Sequence, residues 1–268
     1  MCGIFGFVLR KPLSMNKVFK VLEKLETSKY EFEEQPVGGY GAGIALMLPD
    51  GNVISEKVGK TADSPAGQLE QIIKKMTLMD AKLTSATVLL GHVRFPSPEN
   101  GSTVKFKEAA QPYVEHFEKD LTVVSAHNGR VENYEELKSQ LKTHVFESQK
   151  IGLIDSEVVP HYFGEMINEL ENSDAAAYEL LAAIKGPNAC ALLQIDQENA
   201  FLHLIHKGKS RGLIVWTNKK GEVIFCSRPE PVDDELKSLL NVGKFQRKIT
   251  INPGEDAGLK LSFPAVFT

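Results

Sequence analysis

A chain of 268 residues, 42% hydrophobic and 25% charged with a formal net charge of -4, has the make-up of a globular protein and the length to bury a sizeable core. That balance excludes the basic footprint of a nucleic-acid binder and a polybasic membrane patch, and no apolar run is long enough to span a bilayer, so neither nucleic acid nor membrane is an expected partner. Three scattered cysteines, Cys2, Cys190 and Cys226, make neither a disulfide framework nor a zinc ribbon, which points to a reducing, cytoplasmic setting.

The chain opens MCGIFGFV, an apolar run over 3–9 that predicts a buried strand with Cys2 at its head. Two readings of Cys2 stand side by side. It is a small apolar residue entering the core, or, once Met1 is removed, a residue carrying both a thiol and a free α-amino group. Apolar residues at 3.6 spacing predict a helix over 14–28 (Met15, Val18, Phe19, Leu22, Leu25). GGYGAG at 38–43 lacks the Lys-Ser/Thr of a phosphate loop and precedes a strand at 41–48, so it reads as a turn that lets backbones approach closely. A helix over 66–79, a strand over 87–93, a long polar loop over 95–111 and a strand over 121–127 follow.

Helices are then predicted at 132–142, opened by caps between Asn128 and Asn133, at 156–170 with a broad apolar stripe, and at 174–185, capped by Ser173-Asp174. ACALLQID, FLHLIHK, LIVWTN and EVIFCS alternate with turn-like stretches and predict an antiparallel meander, with a last helix over 232–240. Cys190 and Cys226 lie inside these runs as inert core residues. His203 and His206, three apart on one strand, face opposite sides, so no metal is expected there and no cofactor elsewhere. Clustered strands separated by helical blocks predict an α+β protein of a single domain, 2–268, with helices covering packed antiparallel sheets.

Polar residues concentrate where strands end. Arg94 in GHVRF reads as a snorkelling surface arginine or a carboxylate clamp. Asn128-Gly129 in AHNG reads as a turn dipeptide or a pair of oxyanion donors. Asp155 in IDSE reads, with Ser156, as a helix N-cap or an ammonium acceptor. Together with Cys2 they match one task, since a thiol nucleophile needs a base, donors for the developing oxyanion and a clamp on a small zwitterion. The α-amino group titrates at roughly 7.7 to 8.0 and a thiol near 8.5, so proton exchange between them is nearly balanced.

MCGIFGF, GHVRF, AHNGRVENYEEL and IDSEVV, in that order, resemble the glutaminase domain of class II glutamine amidotransferases, a branch of the N-terminal nucleophile hydrolases. The resemblance spans about residues 2–230 and implies a four-layer αββα sandwich of two antiparallel sheets between helices. It further implies that Cys2 attacks the side-chain amide of glutamine and releases ammonia, with its α-amino group as base. Asn128 and Gly129 would form the oxyanion hole, Arg94 would bind the substrate carboxylate, and Asp155 would receive its amino group. In place of the family's Thr-His-Gly segment the chain reads Phe95-Pro96-Ser97-Pro98-Glu99, where Ser97 could keep a hydroxyl contact and Pro98 cannot replace a histidine. Phe95 and Ser97 complete the substrate-binding set. RFP and AAQPY look more like the glutaminase domains of glutamate synthases. Beyond about residue 250 no acceptor domain is expected, so either a separate synthase subunit takes up the ammonia or the chain is a free-standing amidohydrolase. The alternatives are a non-catalytic binding or regulatory subunit and an amidohydrolase for another γ-glutamyl or amide substrate.

Overall fold

The computed structural model describes residues 2–118, 120–141, 143–196, 199–209, 212–251 and 256–264. The first half runs β1 (Gly3–Ser14), α1 (Met15–Thr27), β2 (Gly41–Met47), β3 (Val53–Gly59), α2 (Pro65–Thr77), β4 (Ser85–Val93), β5 (Tyr113–His116) and β6 (Thr122–Gly129). The second half runs α3 (Tyr134–Gln140), α4 (Val158–Leu170), α5 (Ser173–Ala183), β7 (Asn188–Ile195), β8 (Asn199–Lys207), β9 (Leu213–Thr217), β10 (Val223–Cys226), α6 (Glu230–Glu235), α7 (Lys237–Val242), β11 (Gln246–Ile251) and β12 (Ala257–Pro264).

All the pairings are antiparallel and fall into two sheets, one ordered β11-β9-β10-β1-β4-β2-β3 and the other β12-β8-β7-β6-β5. Strand alternation explains why they stack. Along β1, Phe5, Phe7 and Leu9 pack with α1 residues Val18, Phe19 and Leu22 and α2 residues Leu69 and Ile73 on the outer face. Ile4 and Val8 point the other way, joining Val88 and Leu90 of β4 against Val124, Ala126, Ala191 and Leu193 of the second sheet. The outer face of that second sheet packs Val123, Cys190 and Leu192 beneath Leu137, Val159, Phe163 and Leu180 from α3 to α5. The predicted αββα sandwich of two antiparallel sheets is therefore the observed architecture. Among the described residues no helix is long and apolar enough to cross a membrane.

The strands that the sequence does not announce, β3, β5, β11 and β12, are the four sheet edges. β3 (VISEKVG) is mostly half-buried and carries charges, as edge strands do, and β5 is only four residues long. Several expectations are corrected. The helix over 232–240 is two short helices, α6 and α7, that meet at Leu236. The cap of α5 is Asn172, whose side chain accepts from Asp174 N and Ala175 N, not Ser173 or Asp174. Asn133 does not cap α3 with its side chain; it donates to Ala183 O and accepts from Lys185 N, tying α3 to the end of α5. The loop 95–111 holds two 3-10 turns, Pro98–Thr103 and Lys107–Ala109. GGYGAG is the close approach expected of it, because a Cβ on Gly43 would stand 2.2 Å from Gln111 O.

Candidate active site

The sheet geometry aims three rows of side chains at one place. Gly3 pairs with Val93, so Cys2 lies beside Arg94 just beyond the paired ends of β1 and β4. Arg94 extends the pairing, donating its N–H to Gly41 O (2.8 Å) and accepting from Tyr40 N (3.1 Å). Period-two alternation continues Ile4 to Cys2, Leu90 and His92 to Arg94, and Val124 and Ala126 to Asn128, so all three rows end on the inter-sheet face. The Cys2 and Arg94 rows open into a cleft of about 260 Å³ lined by Cys2, Arg94, Phe95, Ser97, Gly129 and Asp155, whereas Asn128 lies behind its wall. That lies just under the roughly 300 Å³ where pockets for drug-sized ligands begin, a scale for a metabolite as small as an amino acid. Asn128 is buried between His127 and Gly129, which themselves reach the cleft wall.

Cys2 is partly exposed, and its sulfur lies 3.2 Å from both Phe95 N and Phe95 O. Burial raises the thiol above its usual range; the Phe95 N–H and the Arg94 guanidinium oppose that shift and the Asp155 carboxylate adds to it. Such a shift favours the protonated thiol, which is a poor nucleophile unless a base lies beside it. Met1, whose removal would free that base, lies outside the described residues. Cys190 and Cys226 are fully buried with pKa pushed up to about 12, which leaves them inert, as expected.

Arg94 is only 4% exposed. Its Nη2 donates to Thr103 Oγ1 (2.8 Å), while Nη1 has no hydrogen-bond partner and no carboxylate pairs with the guanidinium among the described residues. A buried cation without an anion is costly, and an anion entering the cleft would satisfy it. The hydroxyl that steadies Arg94 is that of Thr103; Ser97, whose Oγ accepts from Asn100 Nδ2 (3.1 Å), stands in the cleft wall.

Gly129 stands at φ +123°, and a Cβ there would lie 2.0 Å from Pro187 O, so only glycine fits this strand end. Across from it, Gly152 (φ +110°) and Leu153 (φ +48°) turn the chain sharply before Asp155. Asp155 is not a helix cap: its Oδ2 accepts from Val131 N (2.8 Å), which fastens the 155–157 turn to the segment after Gly129. Ser156 is not one either, since its hydroxyl meets His127 Nδ1 (2.8 Å).

His127 and Gln111 are the residues that sequence reasoning missed. Gln111 grips the His127 peptide on both sides, with Oε1 accepting from N (2.7 Å) and Nε2 donating to O (3.0 Å). Asn188 Nδ2 donates to Lys185 O and Gly186 O, so its Oδ1 faces His127 Nε2 (2.7 Å), which must carry the ring proton. Burial lowers the His127 pKa and keeps the ring neutral, against the pull of Asp155, so Nδ1 accepts from Ser156. The residue that leads into Asn128-Gly129 is held, backbone and ring, by side chains from three other segments. The only sequence signals were the Q of AAQPY and the H of AHNG, and neither has a local partner.

Comparison with known proteins fits this geometry. A glutamine amidotransferase domain family matches residues 99–234, just over half of the chain, a span that includes Asn128, Gly129 and Asp155 and begins after Cys2 and Arg94. The glutamine–fructose-6-phosphate aminotransferase of Chlamydia trachomatis is 30% identical over 210 residues, 77% of this chain and 29% of that protein. The enzyme of the same name from Pyrococcus horikoshii is 26% identical over 229 residues, 85% of this chain and 32% of that protein. The chain thus spans less than a third of the length of these curated relatives. Among solved structures, the glutamine phosphoribosylpyrophosphate amidotransferase of B. subtilis covers the whole chain with 49% of its own, at TM-score 0.62 and 18% identity. A Pseudomonas aeruginosa protein described as a predicted glutamine amidotransferase covers 97% of both chains at TM-score 0.50 and 13% identity. Both structures share the fold.

Proposed function

The chain belongs to the glutamine amidotransferase domain family, in its class II branch, and from that membership we propose that it hydrolyses the side-chain amide of glutamine through Cys2, as one domain over 2–268. The observation that carries the proposal is one cleft holding the Cys2 sulfur, an Arg94 guanidinium with an unpartnered Nη1, and the Asp155 carboxylate. A free amino acid offers one group to each. Its α-carboxylate completes Arg94, its ammonium meets Asp155, and its side-chain carbonyl reaches Cys2.

With Met1 removed, the Cys2 α-amino group takes the thiol proton as sulfur bonds to the amide carbon. The carbonyl oxygen becomes an oxyanion held by the Asn128 side-chain amide and the Gly129 N–H. Return of the proton to the departing nitrogen breaks the C–N bond and releases ammonia, leaving a thioester. Water, deprotonated by the same amine, then attacks the thioester and frees glutamate and the thiol. Ammonia passes to a synthase, which we place on a separate polypeptide. Burial holds the thiol above its usual range, which calls for a base, the role we give to the amine.

Intact mass spectrometry tests this directly. The mature chain should lack Met1, and a glutamine-like diazoketone should add one ligand mass that Cys2→Ala abolishes. Retention of Met1, or labelling unaffected by Cys2→Ala, would sink the proposal.

A further inference from the structure

Away from the cleft, three elements bring a second polar cluster together: Glu115 on β5, His144 on the loop after α3, and His161 and Glu165 one turn apart on α4. His161 is 1% exposed, the Phe146 ring packs 4.3 Å from its ring, and Phe117 lies edge-on to His144 at 5.8 Å. His144 Nδ1 lies 2.9 Å from His161 Nδ1, His144 Nε2 lies 3.4 Å from Glu165 Oε2, and His161 Nε2 lies 3.4 Å from Glu115 Oε2. Each of these three contacts joins two lone-pair acceptors unless a proton or cation lies between them. Two neutral imidazoles carry only two ring protons, so the third contact needs a further proton, on a ring or on Glu115, whose carboxyl pKa is pushed up by burial, or else a cation. Glu157 adds no proton, because it is a carboxylate whose oxygens accept from Glu147 N, Ser148 N and Ser148 Oγ.

We propose that Glu115, His144 and His161 bind one divalent transition ion of the zinc class, with water completing its coordination. One ligating atom from each residue lies within 4.8 Å of the others, against roughly 3.4 Å between neighbouring ligands held near 2.1 Å from a tetrahedral ion, so the three side chains would close by about an ångström on binding. Two imidazoles and a carboxylate are the nitrogen and oxygen donors such ions take. Glu165, facing the outer nitrogen of His144, is the carboxylate partner that metal-bound histidines characteristically have and would fix that ring's tautomer. The ion would supply the missing positive charge and fasten β5, the loop and α4 to one another. His203 and His206, the pair that stands out in the sequence, take no part. His203 hydrogen-bonds Gln194 Oε1 instead (3.2 Å).

The test uses metal-stripped full-length protein with Cys2→Ala, so that the cleft thiol does not compete, titrated with Zn²⁺ by calorimetry and with Co²⁺ by visible absorption. One equivalent should bind, with imidazole-type ligand-field bands for Co²⁺ and a raised melting temperature. His144→Ala and Glu115→Gln should each weaken binding at least tenfold, and Glu165→Gln about tenfold. Glu115→Gln conserves shape, so it decides the matter should His144→Ala fail to fold. Absence of saturable binding, or equal affinity in Glu115→Gln and the parent, would overturn the proposal. So would NMR showing that the histidine pair takes up a third proton at neutral pH and binds no ion.

Discussion

The two sheets supply the cleft in different ways. The seven-stranded sheet delivers Cys2 and Arg94 chiefly by register: Gly3 opposite Val93 puts the sulfur beside the Arg94-Phe95 backbone, and the one hydrogen bond from the pair to another side chain among the described residues is that of Arg94 to Thr103. The five-stranded sheet delivers Asn128 and Gly129 through a scaffold of side chains, in which Gln111 clamps the His127 peptide while Ser156 and Asn188 hold its ring. Groups that bind and attack substrate can tolerate small adjustments in a flexible side chain. Donors to an oxyanion act through a fixed geometry, which needs support from behind. The first sheet therefore contributes reach, and the second contributes rigidity.

Substitutions can break that contrast. Cys2→Ala, on the first sheet, should leave glutamine hydrolysis at background, below about 10⁻⁴ of the parent, while glutamine still protects the fold against heat. Asn128→Ala, on the second, should lower kcat by about 10²- to 10³-fold with KM little changed. Arg94→Ala should do the reverse, raising KM by about 10²-fold, as measured by steady-state ammonia release. The supporting residues should repeat the split more weakly: Thr103→Val should raise KM roughly tenfold at similar kcat, and Gln111→Leu should lower kcat roughly tenfold at similar KM. If Gln111→Leu changed KM alone, the second sheet's rigidity would not matter to the chemistry.

The smallest effect is on stability near neutral pH. Burial lowers His127 and takes His92 down to about 3, so both rings stay neutral in the folded chain while the unfolded chain protonates them near 6.5. The His92 contribution is complete above pH 6.5 and is lost as pH falls from there toward 3, by up to about 1.4 kcal/mol per pH unit, and His127 acts in the same direction. Urea unfolding at pH 7, 6 and 5 should show that slope, and His92→Gln should flatten it. An equal slope in the variant would show that His92 is protonated in the native state.

Much of this protein was legible without coordinates. Inner strands such as β1, β4, β6 and β7 are buried on both faces, so apolar runs mark them, and α1 and α4 declare themselves by a one-sided stripe. The four edge strands were not legible, since one side of each lacks a partner strand and their sequences mix charges with apolar residues. The candidate site divides the same way. Cys2, Arg94, Asn128, Gly129 and Asp155 sit at strand ends or a helix mouth, where local pattern isolates a polar residue, and the fold gathers them at one end of the inter-sheet layer.

Composition and periodicity, by themselves, determined the layers and the identity of the polar ends, because burial along one element leaves a local trace in residue order. Only the tertiary structure decided that Thr103 holds Arg94, that Asp155 binds the Val131 N–H instead of capping a helix, and that Gln111 grips His127. Those choices depend on strand register and on loops folded back across the sheets. A hydrogen bond is set by positions a few tenths of an ångström apart in space, and no periodicity along the chain encodes which distant side chain arrives there.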